Sequence, residues 1–136
     1  MSIILKSLNE RLSIARELRA KGYGCSQCVM LAFPDIHNLT ENQAAALSIG
    51  HGGGIGGQGL TCGCVMAMST LSGFMSGENI TDKPTTYKKV RIMTQEFIDR
   101  NDTVLCRELK TIGKRPCIEL IEDTVRIIHN NLESAG

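Results

Sequence analysis

The chain has no tryptophan, and only two tyrosines and three phenylalanines among its 136 residues. Aliphatic side chains and six methionines must therefore fill its interior. So few aromatics leave little with which to stack single-stranded nucleic-acid bases. Excess charge is missing too: 15 basic against 14 acidic residues give a net +1. That overall balance calls for no nucleic acid, anionic membrane or acidic partner. The opening MSIILKSLNE is too short for a signal-peptide core and has no small-residue cleavage site, so no export signal is read and a cytoplasmic location is expected.

The most unusual absence is local. Residues 42–77 contain no Asp, Glu, Lys or Arg, and hold ten of the 14 glycines. A membrane span is one reading of such a stretch. Its glycine, serine, threonine, glutamine and asparagine content leaves no continuous run of about 20 apolar residues, so burial within the domain or at a subunit interface, as in a homodimer, is expected instead.

What is present reads as helix. Leu8, Leu12, Ala15 and Leu18 recur at helical spacing before Gly22. A second helix is predicted from Cys25 up to Pro34, and Thr40 to Gln43 forms a capping-box pattern opening a helix to about Ile49. The glycine-rich segment follows, then an apolar run from Leu60 to Met75. Asp82-Lys83-Pro84 opens a helix carrying Tyr87, Val90, Met93 and Phe97 on one face. A short helical turn is predicted over Val104 to Leu109. A last helix starts at Pro116, with Ile118, Ile121, Val125, Ile128 and Leu132 along one side. No segment alternates convincingly as a strand. The expected fold is all-α: one domain over residues 1–136, a compact bundle of five to seven helices with one glycine-rich loop.

The six cysteines are Cys25, Cys28, Cys62, Cys64, Cys106 and Cys117. In a reducing compartment such a set points to ligands or reactive thiols rather than structural disulfides. Cys25, Cys62 and Cys117 stand at predicted helix starts, where free N–H groups favour a thiolate. Arg107, Lys110, Lys114 and Arg115 lie between the last two cysteines and would offset thiolate charge. Several chemistries remain open. Cys25/Cys28 with Cys62/Cys64 would make four zinc ligands, although C-x-C is an unusual half-site. An iron–sulfur cluster accepts single ligands from distant segments more readily. C-x-x-C at a helix start also suits thiol–disulfide exchange, without the βαβ surroundings of a thioredoxin-type site. Any single cysteine also packs well as a small hydrophobe.

Gly52, Gly53, Gly54, Gly56, Gly57 and Gly59 form the loop. Its formal G-x-G-x-x-G is no dinucleotide fingerprint, because helix rather than strand precedes it, and no Gly-Lys-Ser/Thr follows. Close backbone approach is the preferred reading, with peptide N–H groups donating to the sulfurs of an anionic centre; a flexible connector is the plainer one. His51 is read as a helix C-terminal residue, His37 and His129 as surface residues, and Met66, Met68 and Met75 as core filling. No Ser–His–acid set or carboxylate pair marks a hydrolase.

Taken in order, Gly24-Cys25, the glycine loop, Cys62-Gly63 and two separate C-terminal cysteines resemble the C_GCAxxG_C_C family of small prokaryotic redox-active proteins. The resemblance runs from about Arg16 to Leu132. Cys25, Cys62, Cys106 and Cys117 match the four family cysteines, and Gly63 the glycine after the second. The family's C-G-A-x-x-G stands here as Cys62-Gly63-Cys64-Val65-Met66-Ala67, and Cys28 is additional. A similar domain occurs in the split-Soret cytochromes, where an iron–sulfur centre is implied. The resemblance thus implies a redox-active protein for electron transfer or redox sensing, partnered by an electron-transfer protein or oxidoreductase. It implies a cluster held by Cys25, Cys62, Cys106 and Cys117, with Cys64 as a substitute ligand. A thiol–disulfide protein using Cys25/Cys28 or Cys62/Cys64 and holding no metal, and a zinc-stabilised binding module, are the alternatives.

Overall fold

The computed structural model describes residues 5–112 and 115–134, apart from the side chains of 133 and 134. Helix α1 spans Leu8–Ala20. Its start is fixed by a reciprocal cap: Ser7 Oγ accepts from the Glu10 amide at 3.1 Å, and Glu10 Oε1 accepts from the Ser7 amide at 3.0 Å. Leu12, Ala15 and Leu18 form its buried face. Helix α2, Cys25–Leu31, is buried at every position after Cys25, and it packs against four other helices. Pro34 ends α2 as predicted, but also opens a four-residue helix α3, Pro34–His37, because proline suits a first helical turn. Helix α4, Glu41–Ser48, carries the expected Thr40/Gln43 capping box and runs into a 3-10 turn at Ile49–His51. Helices α5 (Gly63–Met75), α6 (Lys83–Asn101), α7 (Cys106–Thr111) and α8 (Cys117–Ser134) complete the chain.

The all-α expectation holds. Eight α-helices occur among the described residues, six of them with seven residues or more. The core joins Val29 and Met30 of α2 to Met68 and Leu71 of α5, Phe97 of α6 and Ile121 of α8. Among the described residues no helix is long and apolar enough to cross a membrane.

Three expectations need correcting. The uncharged stretch is not buried throughout: α5 is core, but Ala46, Leu47, Ile49 and the loop tip at 55–58 are exposed. His37 is not a surface residue. It is buried, its Nε2 lies 3.0 Å from the Met30 carbonyl, and its Nδ1 accepts from the Leu39 amide at 2.9 Å. His129 is half-buried, and its Nδ1 accepts from Arg11 Nε at 3.1 Å. That arginine is itself fully buried. It is paired with Asp35 at 2.8 and 2.9 Å, bonded to the Ala32 carbonyl and set 4.4 Å from the Phe33 ring centre. Sequence periodicity hid both histidines because their partners come from other segments.

Candidate redox centre

Four segments bring their cysteines to helix starts. Cys25 is the first residue of α2, Cys106 of α7 and Cys117 of α8, and Cys62 is the N-cap of α5. Each position offers the positive end of a helix, although the first amides of α7 are already bonded to the Leu60, Gly59 and Leu105 carbonyls. These four and Cys64 line one cavity of about 300 Å³, closed on its inner side by Leu109 and Leu120. The expected convergence of distant thiols is therefore present in the fold. Cys28 stands apart: it is buried beneath the site, its sulfur 3.8 Å from the Tyr23 carbonyl, and burial pushes its thiol up to about 11.

Two backbone devices hold the sulfurs in place. The first is a single antiparallel bridge between Thr61 and Leu105. Cys62 N donates to the Val104 carbonyl and Cys106 N to the Leu60 carbonyl, both at 2.7 Å, so the second and third family cysteines are clamped across one rung. The second is the glycine loop. Gly53, Gly54, Ile55, Gly56 and Gly57 all have positive φ, from 62° to 79°, and wind as one left-handed turn. The amides of Gly56, Gly59 and Leu60 bond back six residues, as from Leu60 to the Gly54 carbonyl at 3.1 Å. Gly54 is where only glycine fits: a Cβ there would lie 2.5 Å from Leu60 N and 2.8 Å from the Cys106 Cβ. Gly63 is similarly tight, since a Cβ would meet the Cys25 sulfur at 2.9 Å and the His51 carbonyl at 3.0 Å.

The loop residues do not act alike. Gly52 and Gly53 line the cavity, Gly54 packs on Cys106, and Gly59 packs on Arg107. Gly56 and Gly57 are exposed, with open space where a side chain would stand. His51 is half-buried and contributes its carbonyl, not its ring, to the loop's hydrogen bonds.

The electrostatics divide the thiols. Cys64, wholly buried, is within hydrogen-bonding reach of both Cys25 and Cys62, and donating to them raises its own thiol well above the ordinary range. The same contact lowers Cys25 to about 6, against burial and with help from the Gly53 and Ser26 amides and the Arg19 charge. Cys62 is also lowered, first by Cys64 and then by the Cys64 and Val65 amides. Burial raises Cys106. Among the described residues no three His, Cys, Asp or Glu side chains are grouped tightly enough to hold one metal ion. The sulfurs instead stand around a space.

The basic cluster is less concentrated than its sequence suggests. Lys110 lines the cavity, but Arg115 turns to Asp123 at 3.0 Å and Asn101 at 2.7 Å. Lys114 lies outside the described residues. Sequence reasoning missed Arg19, Ile49, Leu109 and Leu120 as cavity residues, and no local pattern marks them.

A family model described as "Putative redox-active protein (C_GCAxxG_C_C)" matches residues 23–131. The chain belongs to this family. No curated protein and no solved structure matches it. The matched region of this C_GCAxxG_C_C member contains all six cysteines and the whole glycine loop. The redox assignment therefore attaches to the part of the fold that builds the cavity.

Proposed function

We propose that the cavity binds an iron–sulfur cluster through thiolates of Cys25, Cys62, Cys106 and Cys117, with Cys64 as an alternative ligand, and that the protein transfers electrons or senses redox state. The observation that carries this reading is five cysteines from four separate segments lining one small cavity. Thiolates spaced around a space suit several bridged irons, whereas a structural zinc ion wants its ligands gathered tetrahedrally at one point. A bound cluster would supply one-electron chemistry. The chain's own residues do the rest. The Gly53 and Ser26 amides donate to the Cys25 sulfur, which reduces its charge density and favours the reduced state. Leu109 and Leu120 limit water on the inner side, and Lys110 and Arg19 offset negative charge at the mouth.

The test is iron, acid-labile sulfide and visible absorption on protein purified without air. Iron and sulfide in comparable amounts are expected. Cys62→Ser should lose them and melt at lower temperature, because ligation is linked to folding. Iron-free wild-type protein, or unchanged iron in the variant, would defeat the proposal.

One observation favours a second reading. Cys64 touches Cys25 and Cys62 while keeping its own proton, as a resolving thiol beside two thiolates would. Oxidation of the Cys25 thiolate and the Cys64 thiol to a disulfide passes two electrons to a disulfide or peroxide oxidant and releases the one proton that Cys64 held. That protein would contain no metal and would lose two titratable thiols reversibly. Cys28 is a poorer partner for Cys25, since its raised thiol faces Tyr23.

A further inference from the structure

The near-zero net charge conceals a local asymmetry. The residues lining the cysteine cavity include two cations, Arg19 and Lys110, and no carboxylate. Arg107, exposed on the same short helix as Lys110, is held at the loop by its Nε bond to the Gly59 carbonyl at 3.1 Å. The adjacent Glu108 is turned away to Thr103 at 2.6 Å. The uncharged stretch shares this cavity with Arg19 and Lys110 through Ile49, Gly52 and Gly53. Ile49 is 67% exposed while lining the cavity, and Ile55 and Leu60 are 37% and 36% exposed.

Ile55 is the decisive detail. It is a β-branched residue at φ +62° inside a left-handed turn whose neighbours are glycine. Glycine would adopt that conformation freely, whereas isoleucine is strained there. The core does not explain its presence, because it is not among the core residues or those packed against them. Its loop neighbours Gly52 and Gly53 line the cavity and Gly54 stands against Cys106, and strained residues cluster at functional sites.

We propose that the mouth of the cysteine cavity is the docking surface for an acidic electron-carrier protein, with Ile49, Ile55 and Leu60 as its apolar centre and Arg19, Arg107 and Lys110 as its cationic rim. The carrier gives one electron to the centre or takes one from it, and no bond forms or breaks. That the partner is an electron carrier rests on the redox reading above; the acidic, apolar-centred character of its surface rests on charge and exposure alone. A second copy of this chain fits less well, because its mouth carries no carboxylate to meet these cations.

The test is isothermal titration of the intact protein with two probes, an acidic [2Fe–2S] ferredoxin and a basic cytochrome c, at low and high salt. The ferredoxin is expected to bind, more weakly as salt rises, and the cytochrome is not. Lys110→Glu and Ile49→Asp, both at exposed positions, should each weaken ferredoxin binding by roughly tenfold at low salt. Ile55→Gly should weaken binding while leaving the unfolding midpoint level or higher. Absence of ferredoxin binding, equal binding of both probes, or indifference to Lys110→Glu and Ile49→Asp would overturn the proposal. So would a lower midpoint for Ile55→Gly, which would make Ile55 a packing residue. A dimer in sedimentation that Ile49→Asp abolishes would assign the surface to a second copy instead. Binding heat requires no electron transfer, so iron-free protein would defeat only the cluster reading, and iron-loaded protein that binds no ferredoxin would defeat only this one.

Discussion

Replacing Gly54 and Gly56 by alanine, one at a time, separates two effects that usually arrive together. Both residues have positive φ, 74° and 62°, so an alanine at either incurs the left-handed penalty of about 1–2 kcal/mol. Both variants also stiffen the unfolded chain by about the same few tenths to 1 kcal/mol, which cancels between them. They differ in space. At Gly56 a Cβ meets nothing within 4 Å. At Gly54 it would stand 2.5 Å from Leu60 N, 2.8 Å from the Gly59 carbonyl carbon and 2.8 Å from the Cys106 Cβ. Two of those three atoms are backbone, and the third belongs to a buried cysteine, so none can swing aside. Overpacking of this kind typically costs about 1–3 kcal/mol, and this should be the excess of Gly54→Ala over Gly56→Ala. In urea the excess corresponds to a midpoint lower by roughly 1 M at ordinary slopes. Relief of the overlap also requires the loop to move off Cys106, so under the cluster proposal Gly54→Ala should lose iron that Gly56→Ala keeps. Equal midpoints for the two variants would refute the argument, because they would leave the close approach of loop and Cys106 without energetic consequence.

Other expectations can be checked with standard assays. In reduced, metal-free protein, alkylation of Cys25 should rise with pH around 6 while Cys28 stays unreactive until far higher pH; coincident profiles near the ordinary thiol value would contradict the assigned environments. Because the Cys25 value falls on folding, its thiolate stabilises the fold fully above the ordinary value of 9.0, and that contribution is lost as pH drops through about 6. Cys25→Ser should therefore destabilise metal-free protein more at about pH 8.5 than at about pH 5.5, by urea denaturation. Asp35→Ala should cost about 3–5 kcal/mol in thermal melts, because it strands the buried Arg11 charge. Burial by itself would raise Asp35, but the Arg11 hydrogen bonds and charge outweigh it and hold the carboxylate low. Its contribution is thus present above the ordinary carboxylate range and disappears in acid; an undiminished effect of Asp35→Ala at pH about 2 would contradict that. Finally, α7 makes only slight contact with other helices, so loading the centre should slow hydrogen exchange in α7 more than in α2. Equal protection of the two would argue that Cys106 of α7 is not engaged.

Local signals made the helices legible. The capping patterns at Ser7 and Thr40, the proline after Lys83 and the apolar periodicity of the last helix all correspond to observed helices. The cysteines at helix starts could be read for the same reason, since capping and helix ends are short-range matters. What stayed hidden depends on which segments meet. The Thr61–Leu105 bridge joins residues far apart, with one pair where a strand pattern needs several, so alternation could not reveal it. His37 and His129 looked like surface residues because their partners, the Met30 carbonyl and Arg11, face them only in the folded chain. The uncharged stretch misled in a different way. Lack of charge suggests burial, yet much of that stretch is exposed, and one of its exposed apolar residues, Ile49, lines the cavity.

That misreading helps to explain the site. Four of the cavity cysteines begin helices or cap them, and the helices run outward from the cavity into the core. The positive helix ends thus gather at one place on the surface, where a charged loop would either neutralise them or repel an approaching anionic centre. An uncharged glycine loop does neither. Its backbone comes within contact of Cys106 and donates to Cys25, and its few side chains remain free to face outward. Substituting acidic residues into residues 52–59 would put negative charge next to the Cys25 and Cys62 thiolates, the two sulfurs the fold works hardest to keep ionised. The absence of charge from the loop at 52–59 is therefore better understood as a requirement of the site's electrostatics, whereas its absence from α5 is a mark of the hydrophobic core.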